Sequence, residues 1–215
     1  MDEQGWDIQV MLATNAAVSA AYNREPHVYA AMCRAYNNWA NEYCSAAPER
    51  LKFCAQVPGE LLDEMVVEMR RAVVEKGAVS IFLPQAIADK MWLHPDYDPI
   101  WQTASDLEVP LAIHGMDSAT GKPLLGARYN NVKGGARSVG TLIGFPFENM
   151  LALAHFMLSG ILDRYPTLRL LVLESNSGWL PFFLNRLDKA TEGRQGLAFH
   201  DDPLDASPRD YFLRQ

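Results

Sequence analysis

Five short runs of branched or apolar residues punctuate the chain: Asp7 to Ala13, Lys52 to Val57, Ala78 to Leu83, Pro110 to His114 and Arg169 to Glu174. Near-continuous apolar runs of this length predict buried parallel strands. Between and after them the spacing changes to that of helices, over His27 to Ala46, Leu61 to Lys76, Tyr97 to Leu107, Asn149 to Arg164 and Leu180 to Glu192. In the second of these, Leu61, Leu62, Met65, Val66, Met69 and Val73 keep the i, i+3, i+4 rhythm, and Gly77 follows as a C-terminal stop. Strand alternating with helix predicts repeated βα units, with helices on the faces of a mostly parallel sheet, because right-handed crossovers place them there. One segment breaks the pattern. From Gly115 to about Glu148, six glycines from Gly121 to Gly144 interrupt any period and predict an irregular loop. It follows the run ending in His114, so it lies at the C-terminal end of the sheet, where ligands bind in α/β proteins. It reads either as a cover over a site or as a mobile decoration.

A length of 215 residues fits a single domain, 1–215. Hydrophobic residues at 49% and charged residues at 21% supply a sizeable core and exclude a disordered chain. Lys and Arg number 19 against 26 Asp and Glu, a net charge of −7, so neither a phosphate backbone nor an anionic membrane is attracted in general. No nucleic-acid or membrane partner is therefore expected. No apolar run reaches the ~18 to 20 residues of a membrane span, and Met1 to Gly5 lacks the order of a signal peptide, which makes the cytoplasm the expected location. Cys33, Cys44 and Cys54 lack CxxC spacing and read as reduced structural thiols.

Gly115 to Lys122 superficially resembles a phosphate-binding loop, but it has five residues between its glycines and Pro123 after the lysine. No GxGxxG follows a strand, and GxSxG, HxH and HExxH are absent from the sequence. Nucleotide and serine-hydrolase chemistry thus have no support. His114 closes an apolar strand, where an imidazole can bind a divalent metal or move a proton; a structural histidine is the alternative. Glu174 ends another strand before Ser175-Asn176-Ser177-Gly178, where a carboxylate can accept a proton, bind a metal or cap the next helix. His155 lies within a helical run and His27 at a helix start, both as packing or capping residues, while His94 reads as turn chemistry and His200 carries no signal. Trp179, Phe182 and Phe183 can line an aromatic pocket or simply pack a helix on the sheet.

Several phrases together resemble the metal-dependent amidohydrolase-related family that includes aminocarboxymuconate-semialdehyde and resorcylate-type decarboxylases. They are Met1 to Asp7, Pro48 to Lys52, Val109 to His114, Ser159 to Pro166, and Leu173-Glu174-Ser175 through Trp179-Leu180-Pro181 to Arg186-Leu187-Asp188. The resemblance covers almost the whole chain, in the family's order and near its spacing. It implies a (β/α)₈ TIM-type barrel that is incomplete here, the five strands corresponding to strands two to six. It also implies a divalent metal ion, Zn or Mn, a small carboxylated substrate of aromatic or muconate-like type, and carboxy-lyase or hydrolase chemistry.

By that resemblance His114 is the fifth-strand metal ligand, Arg186 a substrate-carboxylate anchor and Trp179 a substrate-lining residue. The sixth-strand histidine that serves as base in the decarboxylases is absent. An ungapped match places Ser175 there and one insertion places Glu174; a carboxylate is the better proton acceptor. The paired-histidine or Asp-x-His motif of the first strand and the aspartate of the last strands are also absent. Met1 resembles an internal methionine, Gln215 falls before a seventh strand, and a truncated, non-catalytic binding or assembly module is the competing expectation. Open edges at the first and last strands, with Ile8, Val10, Leu170 and Val172 in need of cover, predict a homo-oligomer or an aggregating chain.

Overall fold

Strands β1 (Gln9–Met11), β2 (Leu51–Ala55), β3 (Ser80–Phe82), β4 (Leu111–His114) and β5 (Leu170–Leu173) form one sheet in chain order, with every neighbouring pair parallel. This is the order of consecutive strands in a barrel. The computed structural model describes residues 1–13, 25–83, 94–114, 137–191 and 204–215. The helices are α1 (Pro26–Cys44), α2 (Leu62–Arg70, extended by a wider turn over Arg71–Glu75), α3 (Asp98–Asp106), α4 (Arg137–Leu158), α5 (Ile161–Arg164), α6 (Leu180–Thr191) and α7 (Pro208–Arg214). Proline in the first turn of α1, α3 and α7 suits a position whose N–H has no helical partner. Among the described residues, no helix is long and apolar enough to cross a membrane.

Register assigns the two faces. Phe53, Ala55, Ile81, Leu111 and Ile113 alternate onto the side covered by helices, where they pack with Met65 and Met69 of α2, Ile100 and Trp101 of α3 and Phe156 of α4. Trp101 meets Phe156 edge-to-face at 5.1 Å between ring centroids, which ties α3 to α4. Cys54, Phe82 and Ala112 face the other way and form a small cluster with Leu173. His114 shares that inner face, two residues beyond Ala112.

A buried polar cluster joins α1, α2 and the end of β2. Asn37 donates to the Gln56 carbonyl at 2.9 Å and to Glu68 at 2.7 Å, and its own oxygen accepts from the Gln56 N–H at 2.9 Å. Arg71 grips the same Glu68 through two donors, at 2.7 and 2.8 Å, so this nearly inaccessible carboxylate is neutralised as well as hydrogen-bonded.

Three expectations need correction. The segment 115–148 is not irregular throughout: α4 begins at Arg137, and the part before it lies outside the described residues. Gly140, Gly144 and Pro146 argue against a helix, at ~1 kcal/mol per glycine and more for proline, yet all three lie within α4. The helix expected over Asn149 to Arg164 is divided, because Gly160 adopts a left-handed φ of 70° and starts α5 in a new direction. Finally, Leu170 and Val172 pack half-buried beneath the helices. Parity exposes Leu171 instead, on the inner face, together with Ile8 and Val10 of the β1 region.

Candidate active site

β4 ends on the inner face with His114, whose side chain is 11% exposed. β5, paired with β4 residue for residue up to His114 opposite Leu173, delivers Glu174 beside it. Regular alternation would turn Glu174 to the face opposite Leu173. The strand stops first. Glu174 adopts a left-handed φ of 51°, unusual for a residue with a side chain, and its Oε2 comes to 3.3 Å from His114 Nε2. The carboxylate remains 71% exposed, so it is open to solvent or to a ligand while touching the imidazole.

Ser175 has a different task. It is buried, its hydroxyl donates to the Leu173 carbonyl at 3.0 Å, and the Asn149 side-chain amide of α4 bonds both that hydroxyl and, at 2.8 Å, the same carbonyl. Trp179 locks the turn from the other end, donating its indole N–H to the Ser175 carbonyl at 2.7 Å and meeting Phe183 edge-on at 5.2 Å. Thus a latch formed by Asn149, Ser175 and Trp179 holds the strained Glu174. Of the four residues expected at the site, His114 and Glu174 are in contact and Trp179 supports their turn through Ser175. Arg186 stands on the exposed side of α6, six residues beyond its start at Leu180, a rise of ~9 Å. The latch was not foreseen; Asn149, a polar residue within an apolar helical run, was its trace in the sequence.

His94 accepts from the Asp96 N–H and caps a short turn, as expected. His27, expected to pack or cap, does neither: it stands 80% exposed in the first turn of α1, 3.1 Å from Glu64. His200 lies outside the described residues. His155 is half-buried on α4, and burial holds its pKa below the usual imidazole value. Burial pushes the Cys33 and Cys54 thiols up to about 12, which makes them poor nucleophiles and fits structural roles. A separate cavity of about 610 Å³ opens between the starts of α2 and α3, lined by Glu60, Asp63, Glu64 and Asp96 among others. Its acidic wall does not suit a carboxylate ligand, and neither His114 nor Glu174 lines it.

A nitrogen and an oxygen 3.3 Å apart match the edge of a tetrahedron with metal–ligand bonds of ~2.0 to 2.1 Å, so the pair could share one ion. A catalytic ion normally needs three protein ligands. Among the described residues no group of three His, Cys, Asp or Glu side chains converges. The described donors therefore do not make a complete metal centre.

A family model described as Amidohydrolase matches residues 7–212. The 2-amino-3-carboxymuconate-6-semialdehyde decarboxylase of Dictyostelium discoideum is 22% identical over 205 residues, 95% of this chain and 54% of its own length. The gamma-resorcylate decarboxylase of Rhodococcus jostii is 27% identical over 197 residues, 87% of this chain and 57% of its own. The chain thus spans little more than half the length of these curated relatives. A solved dihydroxybenzoic acid decarboxylase from Polaromonas, with bound manganese and the inhibitor 2-nitroresorcinol, superposes with a TM-score of 0.79 at 23% identity, over all of this chain and 63% of that one. The five strands accordingly form part of an incomplete barrel.

Proposed function

Because the chain belongs to the amidohydrolase family, we propose that it is the site-bearing part of a metal-dependent carboxy-lyase acting on a small aromatic or muconate-like carboxylate. The contact between His114 and Glu174 at the C-terminal rim of the inner face carries this reading. Loss of CO₂ leaves an electron pair on carbon that must be protonated, and a carboxylate beside an imidazole can take a proton from solvent and return it there. In this reading Glu174 is the base and His114 the residue that would hold a divalent ion, Mn or Zn, with further donors from outside the described residues. Such an ion stabilises developing negative charge when bound. Arg186 is the carboxylate anchor, suited by its guanidinium fork, and Trp179 borders the substrate at the turn. Hydrolysis would use the same residues. We place the protein in the cytoplasm, as one domain over 1–215.

Release of CO₂ from gamma-resorcylate, with Mn or Zn supplied, tests the proposal. Glu174→Gln should lower turnover by ~10²- to 10⁴-fold at unchanged metal content, and His114→Ala should lower the metal content itself. Loss of turnover in Ser175→Ala with Glu174→Gln unimpaired would overturn the assignment of the base. The shortage of described metal donors favours a second reading, a non-catalytic binding or assembly module. Less than ~0.1 equivalent of metal per chain after supplementation, with no CO₂ released, would favour it over the first, given the usual three-ligand requirement.

A further inference from the structure

We propose that Gln56 is a specificity-determining residue, whose side-chain amide donates to a ring oxygen, a hydroxyl or phenolate, of a small aromatic carboxylate bound on the inner face of the sheet. Ala55 and Val57 on either side of it pack in the helix-side core, and Cys54, two residues earlier, packs in the inner cluster. Alternation therefore turns the Gln56 side chain to the inner face, the face of His114. The residue is 5% exposed, and among the described residues its Nε2 is buried without a hydrogen-bond partner. A buried donor with no acceptor destabilises a fold, and native structures keep few of them. The backbone here does not need this one. Asn37 already takes both backbone groups of Gln56, accepting from its N–H and donating to its carbonyl at 2.9 Å each, and Glu68, gripped by Arg71, holds Asn37 in turn. The amide is thus fixed in place with nothing to bond.

The strand register gives its position. Ala55 pairs with Ile81 and Ile81 with Leu111, so one residue further Gln56 stands opposite Phe82 and, across β3, level with Ala112. His114 is the next inner-facing residue beyond Ala112 on β4. β2 and β4 are alternate strands, whose inward side chains share layers in a (β/α)₈ barrel. Two strand spacings separate their backbones by ~10 Å. One substituted benzene ring can therefore touch both the amide and the imidazole, with Cys54, Phe82 and Ala112 as an apolar floor. A primary amide carries no charge, so it suits a carboxylate less well than a guanidinium does, but it donates to a ring oxygen through Nε2 and can accept a hydroxyl proton at Oε1. A ligand without that oxygen leaves Nε2 unpaired, which is how a polar site rejects an analogue. The assignment rests on the aromatic substrate class proposed above and not on which bond of that substrate is broken.

Calorimetric titration of the 215-residue chain with gamma-resorcylate, a dihydroxybenzoate, and with benzoate, run beside the CO₂ assay, tests the assignment. The unaltered chain should prefer gamma-resorcylate. Gln56→Met keeps the length of the side chain and removes the donor, so it should weaken gamma-resorcylate ~10-fold and leave benzoate unchanged. The same variant should raise the thermal midpoint of the ligand-free chain by ~2 to 6 °C, because the unpaired amide has gone. A lower midpoint with unchanged preference would mark a structural glutamine and overturn the assignment. Gln56→Glu, which keeps the shape and replaces the donor by an acceptor, should weaken gamma-resorcylate at least as much. Binding that depends on Gln56 with no CO₂ released would keep this assignment and remove the decarboxylase reading. CO₂ released by the unaltered chain and by Gln56→Met at the same KM would keep that reading and remove this assignment. A chain that neither binds gamma-resorcylate nor releases CO₂ from it would remove both.

Discussion

The two faces of the five-stranded sheet are built from the same strands and differ in what completes them. On the helix side, Ile81, Leu111 and Ile113 are fully inaccessible, because the chain supplies its own cover in α2, α3 and α4. On the inner side, among the described residues, the centre is closed over Cys54, Phe82 and Ala112, while Val10 and Leu171 near the edges are each 42% exposed. Stability is therefore concentrated on one face. His114 and Glu174 meet at the rim of the other.

The sharpest test of this contrast is a matched pair of truncations. Leu111→Ala on the helix side should cost ~4 kcal/mol, and Leu171→Ala on the inner side of the neighbouring strand, opposite Ala112, less than ~1 kcal/mol, since half-exposed sites leave little cavity. Urea denaturation of both variants measures the difference; equal costs would mean that the inner face is closed as well. Next in size is Arg71→Ala. It leaves Glu68 buried with only the Asn37 donor and should cost ~3 kcal/mol, with Glu68→Gln in the same chain recovering part of the loss by removing the unpaired charge. At the rim the sign reverses. Glu174→Gly removes a side chain from a left-handed backbone and should raise stability by ~1 kcal/mol while ending turnover, a trade seen by thermal unfolding beside the CO₂ assay.

The smallest effect concerns pH. Burial lowers the His155 pKa in the folded chain, so the unfolded chain binds more protons as pH falls below ~6.5, and stability is lost in that direction. His155→Gln should flatten the slope of stability against pH below neutrality. An unchanged slope would assign the acid sensitivity to other groups.

The strands were legible because burial on both sides writes itself as an uninterrupted apolar run, as in Leu111-Ala112-Ile113. Which face each residue takes was partly misread at β5, since the choice between Leu170 and Leu171 depends on pairing with β4 and not on composition. The first half of α4 was illegible because its glycines and proline oppose helix locally, while the apolar residues that pack on the core lie in its second half. His114 could be placed at a strand end from sequence. Its contact with Glu174 could not, since that depends on one backbone angle. Asn37 left a visible sign: it interrupts the buried face Ala30, Cys33, Asn37, Ala40, Cys44, and a polar residue in such a stripe requires partners.

The left-handed turn at Glu174 also constrains how this position can drift over generations. Conformation rewards a change to Gly, Asn or Asp, which tolerate that backbone best. Reach rewards glutamate, because an aspartate is one methylene shorter and would fall back from the 3.3 Å approach to His114. Two selective pressures thus point in opposite directions at one codon. On the proposal that Glu174 is the base, lineages that retain the chemistry should keep the strained glutamate, and those that abandon it should relax toward glycine or asparagine, so the residue found at this position in a descendant would report which course it took.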